Sequence, residues 1–469
     1  MNEAQYQQKL EELYVRHPSV QKYGFGGDAY KPRLAGILEF NALTGHPDRT
    51  YRTIHVAGTN GKGSVANMLA SALAATGLKV GLYTSPHIID FRERMRIIDA
   101  GSDGPARLIG KQDVWDFLTE WEEVMDRLGL SFFEVTTGMA FKWFADEKVD
   151  VAVIEVGLGG RLDSTNIISP EVSVIASIGL DHCGLLGDTR AAIAGEKAGI
   201  FKPGVPAVAG SRDAETAPVF EARATSVGCP LVFADEAFKD YDLIGRLTKE
   251  MDLQGEWQAE NLRTVLTVLS VLGVETTEDV LQAIAHTARR MDFRGRWEML
   301  RRDPDMLCDI GHNPPALRRN FAQLRQYLSE GRYDGLVIVY GIMADKDLDG
   351  IIPLMPPEAT YIAVAPDYRR AMTADVLYER LRAALPGRIL LGGTVAEGVE
   401  MAMNIAFFGS AAGPGMHLPG KGPDSAEALC DGLQTEALLP NRKKVLIYIG
   451  GSTFVVSEAI AALEGGLTA

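Results

Sequence analysis

A lysine held between glycines and followed by a serine closes the run Gly58-Thr59-Asn60-Gly61-Lys62-Gly63-Ser64. Glycines let a backbone turn tightly and bring its N–H groups close to an anion. Lys62 adds a point charge, and Ser64 adds a hydroxyl at the positive end of the helix predicted to follow. The spacing departs from GxxxxGK[ST], because Gly63 separates Lys62 from Ser64. A variant phosphate loop is therefore the reading that needs its context, against a glycine-rich turn that only joins strand to helix. Three other positions have chemical potential. Glu155 ends the apolar run VAVIEV and precedes GLGGRLDSTN; a carboxylate buried there needs a cation, or else an ion pair with Arg161. Asp181 and His182 lie in SIGLDHCGLLG, where His182 is either a hydrogen-bonded structural residue or a metal ligand. Ser85 and His87, in LYTSPH, offer a hydroxyl and an imidazole that serve a ligand or simply a turn.

The elements that must position these groups are legible as well. Ile54, Val56 and Ala57 predict a buried strand before the loop, and Val65, Met68, Leu69, Ala72 and Leu73 recur at helical spacing until Gly77. Lys79–Leu82, Val151–Val156, Val172–Ile178 and Val205–Ala209 read as central strands of a mostly parallel sheet. In such sheets ligands bind beyond the carboxyl ends of strands, which is where Ser85, Glu155 and His182 fall. A helix over NLRTVLTVLSVLG ends at Gly273, a second and mainly acidic helix follows, and MDFRGRWE marks a hinge near 290–297. Beyond it the alternation resumes, with strands at Met306–Ile310, Leu336–Tyr340, Tyr361–Ala365, Ile389–Leu391 and Val445–Ile449 and helices such as Pro315–Leu328. The fold class is α/β: a phosphate-loop domain over 1–292, then a smaller α/β domain over 293–469. Residues 411–440, rich in Gly and Pro, read as a mobile surface insertion.

Bulk properties exclude several classes. Lys plus Arg number 47 and Asp plus Glu 62 in 469 residues, a net charge of −15 that opposes binding to nucleic acid or anionic membrane. An anionic substrate must therefore meet local positive charge. Cys183, Cys229, Cys308 and Cys430 show no CxxC spacing, the first residues form a polar helical pattern rather than a signal peptide, and no apolar run reaches the length of a membrane span. These features predict a cytoplasmic, reducing setting.

In order, GTNGKGS, TSPH, EVGLGGRLDSTN, GLDHCGLLG, EKAGIFKPG, GEWQAEN, RGRWE and DIGHN resemble the dihydrofolate synthase/folylpolyglutamate synthase family of Mur-type amide ligases, over about residues 50 to 350. The resemblance implies a Mur ligase-like ATPase domain and a Rossmann-like C-terminal domain. It implies that Gly58, Thr59, Asn60, Gly61, Lys62, Gly63 and Ser64 cradle ATP phosphates, with Lys62 near the transferred phosphoryl group. It implies that Ser85 and Glu155 hold a Mg²⁺, that His182 helps hold a second one, and that Lys197 of EKAGI carries a carbamate; without the family, Lys197 reads as a surface or helix-terminal lysine. Asn261 matches an adenine contact, with Gln258 one turn earlier, although read alone Asn261 is a helix-surface amide. Arg296, Asp309 and His312 match further nucleotide contacts. Phe132, Phe133, Glu134, Leu162, Asp163 and Ser164 match segments that hold a pterin, the two phenylalanines reading equally as core. Asp345, Lys346 and Asp347 either meet the incoming glutamate or are solvated loop charges. The implied activity is ATP-dependent addition of L-glutamate to dihydropteroate, to folylpolyglutamates, or to both, by a monomer acting on small molecules. The alternatives are a Mur-type ligase for another acceptor and a nucleotide switch or phosphotransferase that forms no amide.

Overall fold

The computed structural model describes residues 1–17, 33–102, 104–408 and 444–465. The insertion expected at 411–440 and Cys430 lie outside them. Two compact units divide the chain: Met1–Trp297 with Asn313–Arg319 and Tyr368–Arg370, and Glu298–His312 with Asn320–Asp367 and Ala371–Ala469.

The first unit is built on β1 (Arg52–Ala57), β2 (Val80–Tyr83), β3 (Met95–Ile98), β4 (Arg107–Leu108), β5 (Val151–Glu155), β6 (Val172–Ile175), β7 (Ala207–Ala209) and β8 (Leu231–Phe233). Their order across the sheet is β4-β3-β2-β5-β1-β6-β7-β8. All pairs from β2 to β8 are parallel, whereas β3 and β4 are antiparallel additions at one edge. Central strands buried on both faces need apolar side chains on both, which is why VAVI and VSVI are unbroken runs. Ile54, Val56, Val153 and Val174 pack on one side with Val65, Met68 and Leu69 of the Lys62–Ala75 helix and with Leu262, Val265 and Leu266 of the Gln258–Val271 helix. Tyr83, Ala152 and Ile154 pack on the other with Val135, Met139 and Phe144 of the Phe132–Asp146 helix. Each such side chain taken fully from water contributes roughly 1.5–3 kcal/mol.

Some elements differ from the sequence expectation, for identifiable reasons. β6 stops at Ile175 rather than Ile178 because Ser177 turns to hold the glycine loop, its carbonyl accepting from Thr59 N–H at 2.7 Å. β7 starts at Ala207 rather than Val205; Pro206 has no N–H to give a ladder. The helix expected to be mainly acidic, Glu278–Ala285, carries acids only in its first turn, where they face the positive end of the helix dipole, and buries Val280, Leu281, Ala283 and Ile284.

The second unit contains β9 (Glu298–Arg301), β10 (Met306–Asp309), β11 (Gly335–Tyr340), β12 (Thr360–Ala365), β13 (Ile389–Thr394) and β14 (Val445–Gly450), ordered β13-β12-β11-β14-β10-β9. Every pair is parallel except β9 with β10. The half-buried β9 escaped the sequence pattern, since EMLR has no apolar alternation to reveal it. Among the described residues no helix is long and apolar enough to cross a membrane.

Candidate functional site

The glycine loop leaves the end of β1 and becomes a helix at Lys62, with Gly61 in the left-handed region at φ 84° as its N-cap. A side chain would not fit at Gly61, since its Cβ would lie 2.4 Å from Asn261 Oδ1. The first intrahelical bond runs from Val65 N–H to Gly61 C=O at 2.9 Å, so the N–H groups of Lys62, Gly63 and Ser64 precede the ladder and point toward an incoming anion. Lys62 Nζ folds back on the carbonyls of Gly58 and Thr59, 3.1 Å from each. Neighbouring elements pin the loop: Thr59 Oγ1 donates to Gly179 C=O at 3.0 Å, Asn60 N–H to Ser177 Oγ at 3.3 Å, and the Asn60 and Asn313 side chains bond each other. Asn313, part of this first unit, also donates to Asp181 Oδ2 at 2.9 Å. It escaped the sequence reading although it is the last residue of DIGHN.

Glu155 ends β5 one strand away from the loop, in register with Val56. It is buried and accepts a hydrogen bond from Ser85 N–H at 3.1 Å. Burial pushes its carboxyl above the ordinary carboxylate value, and the positive fields of Lys62, Arg296 and Arg94 oppose that rise. The Arg161 alternative does not form: Arg161 is exposed and donates to Glu196 at 3.0 Å. A buried carboxylate with one hydrogen bond and spare lone pairs suits a hard cation, which seeks oxygen ligands. Among the described residues no three His, Cys, Asp or Glu side chains gather around a common point, so a cation at Glu155 would also need hydroxyl, water, phosphate or modified-lysine oxygens. His182 sits in the left-handed region at φ 53°, with Nε2 3.7 Å from Asp181 Oδ2. His87 is half-buried and accepts at Nδ1 from Arg94 Nε–H at 2.9 Å, which keeps the ring neutral; desolvation first, then Arg94, holds its pKa well below the ordinary value.

Lys197 is not a surface lysine. It lies near the end of the Arg190–Ala198 helix, only 4% exposed, and burial pulls its ammonium down to about 7, with the charge of Lys62 pulling the same way and Asp181 and Asp163 opposing. A lysine in this state is the free amine in about half the molecules at neutral pH. Lys62 thus exerts its field on both Glu155 and Lys197, placing loop, carboxylate and amine in one electrostatic neighbourhood.

Asn261 is buried rather than on a helix surface. Its Nδ2 donates to Gln258 Oε1 at 2.8 Å, and Gln258 Nε2 reaches Ser64 Oγ at 3.3 Å. Arg296 belongs to the first unit; its guanidinium lies over the Phe293 ring at 4.8 Å, and Nη2 is 3.6 Å from where a Gly63 Cβ would be. Asp309 and His312 belong to the second unit, where Asp309 Oδ1 accepts from Gly311 N–H at 2.8 Å and from Asn320 at 2.7 Å, and His312 Nδ1 pairs with Ile310 C=O at 3.0 Å. In the same unit Asp347 caps the short Leu348–Ile351 helix.

The residues expected around a pterin divide into different roles. Phe132 is core, stacked on Tyr14 at 5.0 Å with Arg94 over its face at 5.1 Å, whereas Phe133 is half-buried against Tyr83. Glu134 closes a capping box, its Oε2 accepting from Ser131 N–H and Oγ at 2.8 Å each. The S-x-x-E spacing of Ser131 and Glu134 was a sequence signal for this. Leu162 is half-buried, Ser164 is buried, and Asp163 is buried with its carboxylate turned into its own loop.

The description "Mur ligase, glutamate ligase domain" matches residues 295–411. A folylpolyglutamate synthase of Lacticaseibacillus casei is 33% identical over 374 residues, covering 75% of this chain and 86% of that one. The structure of Mycobacterium tuberculosis folylpolyglutamate synthase complexed with ADP superposes with a TM-score of 0.77 at 27% identity, covering 98% of each chain. That of a bifunctional folylpolyglutamate synthase/dihydrofolate synthase from Yersinia pestis, complexed with AMPPNP and Mn ion, gives 0.75 at 25% identity, again covering 98% of each. Fold and domain together define a Mur-type ligase. The chain belongs to the dihydrofolate synthase/folylpolyglutamate synthase family.

Proposed function

We propose that this chain joins L-glutamate to a folate-type carboxylate at the expense of ATP, acting on dihydropteroate and on folylpolyglutamates, as a cytoplasmic monomer with two Mg²⁺ ions. The observation that carries the reading is the shared neighbourhood of the phosphate loop, Glu155 and Lys197, linked through the field of Lys62. The three cysteines among the described residues are free, in keeping with a reducing compartment.

A carboxylate resists attack by an amine because resonance and negative charge protect it. Moving the γ-phosphoryl group of ATP onto it gives an acyl phosphate, which the amine of glutamate attacks with loss of inorganic phosphate. The loop N–H groups and Lys62 hold the triphosphate and offset the charge that builds during transfer. Ser85, Glu155 and His182 would hold magnesium, which when bound neutralises phosphate charge. Lys197 as a free amine can take up carbon dioxide, forming an N–C bond and releasing one proton, which converts a neutral buried amine into an anion suited to a metal site. Asn261 faces the loop from the side expected for the base. Phe133, Leu162 and Ser164 remain the pterin-side candidates; Asp163 and Glu134 support that side through the backbone they hold. Arg296, on the first unit beside Gly63, supplies a further phosphate contact.

The test is ADP release by purified protein with Mg²⁺, dihydropteroate and glutamate, each omitted in turn. Release should require both organic substrates. Undiminished release without either would identify a nucleotide switch and defeat the ligase.

A further inference from the structure

His55 sits in the middle of β1 with its side chain fully buried, beside the glycine loop but outside every group used above. Its Nε2 lies 2.8 Å from Thr165 Oγ1. Thr165 Oγ1 in turn donates to Asp163 Oδ1, which also accepts from Thr165 N–H at 3.0 Å. A hydroxyl has one proton, and here it goes to the carboxylate, so the imidazole must be the donor to Thr165. That fixes the neutral ring as the Nε2–H tautomer. Its Nδ1 is then a bare acceptor, and this buried atom has no hydrogen-bond partner among the described residues. Burial holds the ring's pKa down to about 3, with Lys202 acting in the same direction, so the tautomer persists across physiological pH.

The far end of the chain explains what is gained. Asp163 Oδ2 accepts from Leu158 N–H at 2.9 Å, and Gly157 N–H bonds the same carboxylate. Four donors occupy the carboxylate, two from its own loop and two from Thr165 in the turn that follows. That loop leaves Glu155 directly and packs on the helix end that carries Lys197: Arg161 N–H donates to Glu196 C=O at 2.8 Å, and a Cβ at Gly160 would lie 2.9 Å from the Glu196 and Lys197 carbonyl oxygens. An apolar side chain would fill the His55 site without burying an unpartnered ring nitrogen, so packing alone gives no reason for an imidazole there. We propose that His55 is a positioning residue, which acts through Thr165 and Asp163 to fix the Gly157–Asp163 loop between Glu155 and Lys197.

The test compares His55→Leu, His55→Gln and Thr165→Val in the full-length protein. The Gln amide can reproduce the Nε2–H donor, and Val removes the intervening hydroxyl at constant shape. Native-state amide exchange reads the loop directly: the Gly157 and Leu158 amides should exchange about tenfold faster in His55→Leu and Thr165→Val, and near the parental rate in His55→Gln. The kinetic consequence rests on the ligase reading; kcat should fall about tenfold in the first two variants while KM for ATP stays within about twofold. The double variant should be no worse than either single one, because both break one chain. Unchanged Leu158 exchange in Thr165→Val, or additive losses in the double variant, would overturn the positioning role. A parent that exchanges as expected yet forms no amide would defeat the ligase reading and leave the positioning role standing.

Discussion

Replacing Lys197 by Met isolates the electrostatic cost of placing an amine in this site. Met keeps a long flexible apolar chain and removes the titrating group. In the unfolded chain the lysine holds its proton to about 10.5, whereas in the folded protein it gives it up near 7. Its folded pKa is lowered, so between these values the unfolded state binds more protons, and stability rises with pH across that window; below about 7 the full penalty applies. Each pH unit well inside the window is worth about 1.4 kcal/mol. Between pH 7.5 and 9.5 the parent should therefore gain about 2.5 kcal/mol relative to Lys197→Met. Guanidinium unfolding in buffers freed of carbon dioxide measures this difference. Adding bicarbonate should then stabilise the parent alone, since carbamate forms on the folded amine. Turnover should collapse in Lys197→Met while ATP binding persists. A stability difference that does not change with pH, or equal activity in the two proteins, would refute the reasoning.

Two further outcomes follow from the same geometry. Gly61→Ala puts a side chain at φ 84° and a Cβ 2.4 Å from Asn261 Oδ1, so ATP affinity by calorimetry should fall at least about tenfold; parental affinity would count against the loop as the nucleotide cradle. Burial raises the Glu155 carboxyl, so the parent loses stability as pH rises through its folded pKa. Glu155→Gln should therefore be at least as stable as the parent in EDTA at pH 7.5, yet lose about a hundredfold or more in kcat. Mg²⁺ should raise the Tm of the parent and not of the variant, and equal stabilisation of both would remove Glu155 from the metal site.

The sequence carried the glycine loop and strand ends because both are local: a loop needs glycine where backbone approaches anion, and a buried parallel strand needs an unbroken apolar run. Glu155 stood out as a charge in such a run. What stayed hidden depends on partners far along the chain. His55 reads as a polar interruption of RTIHVA until Thr165 is brought beside it. Asn313 reads as the tail of a short motif until it meets Asn60 and Asp181. β3 and β4 were missed because Arg96, buried against the Asp292 carbonyl, breaks the apolar pattern, and Leu108 pairs only at an edge. Asp163 and Glu134, matched to a pterin site through the family resemblance, each accept hydrogen bonds from their own local backbone, which their residue types do not reveal.

The central claim is that the acceptor's carboxylate is phosphorylated before the amine arrives. Dihydropteroate labelled with ¹⁸O in its carboxylate, incubated with ATP, Mg²⁺ and L-glutamate, tests it directly. The account predicts one labelled oxygen in the inorganic phosphate released for each amide formed. Amide formation with unlabelled phosphate would contradict it.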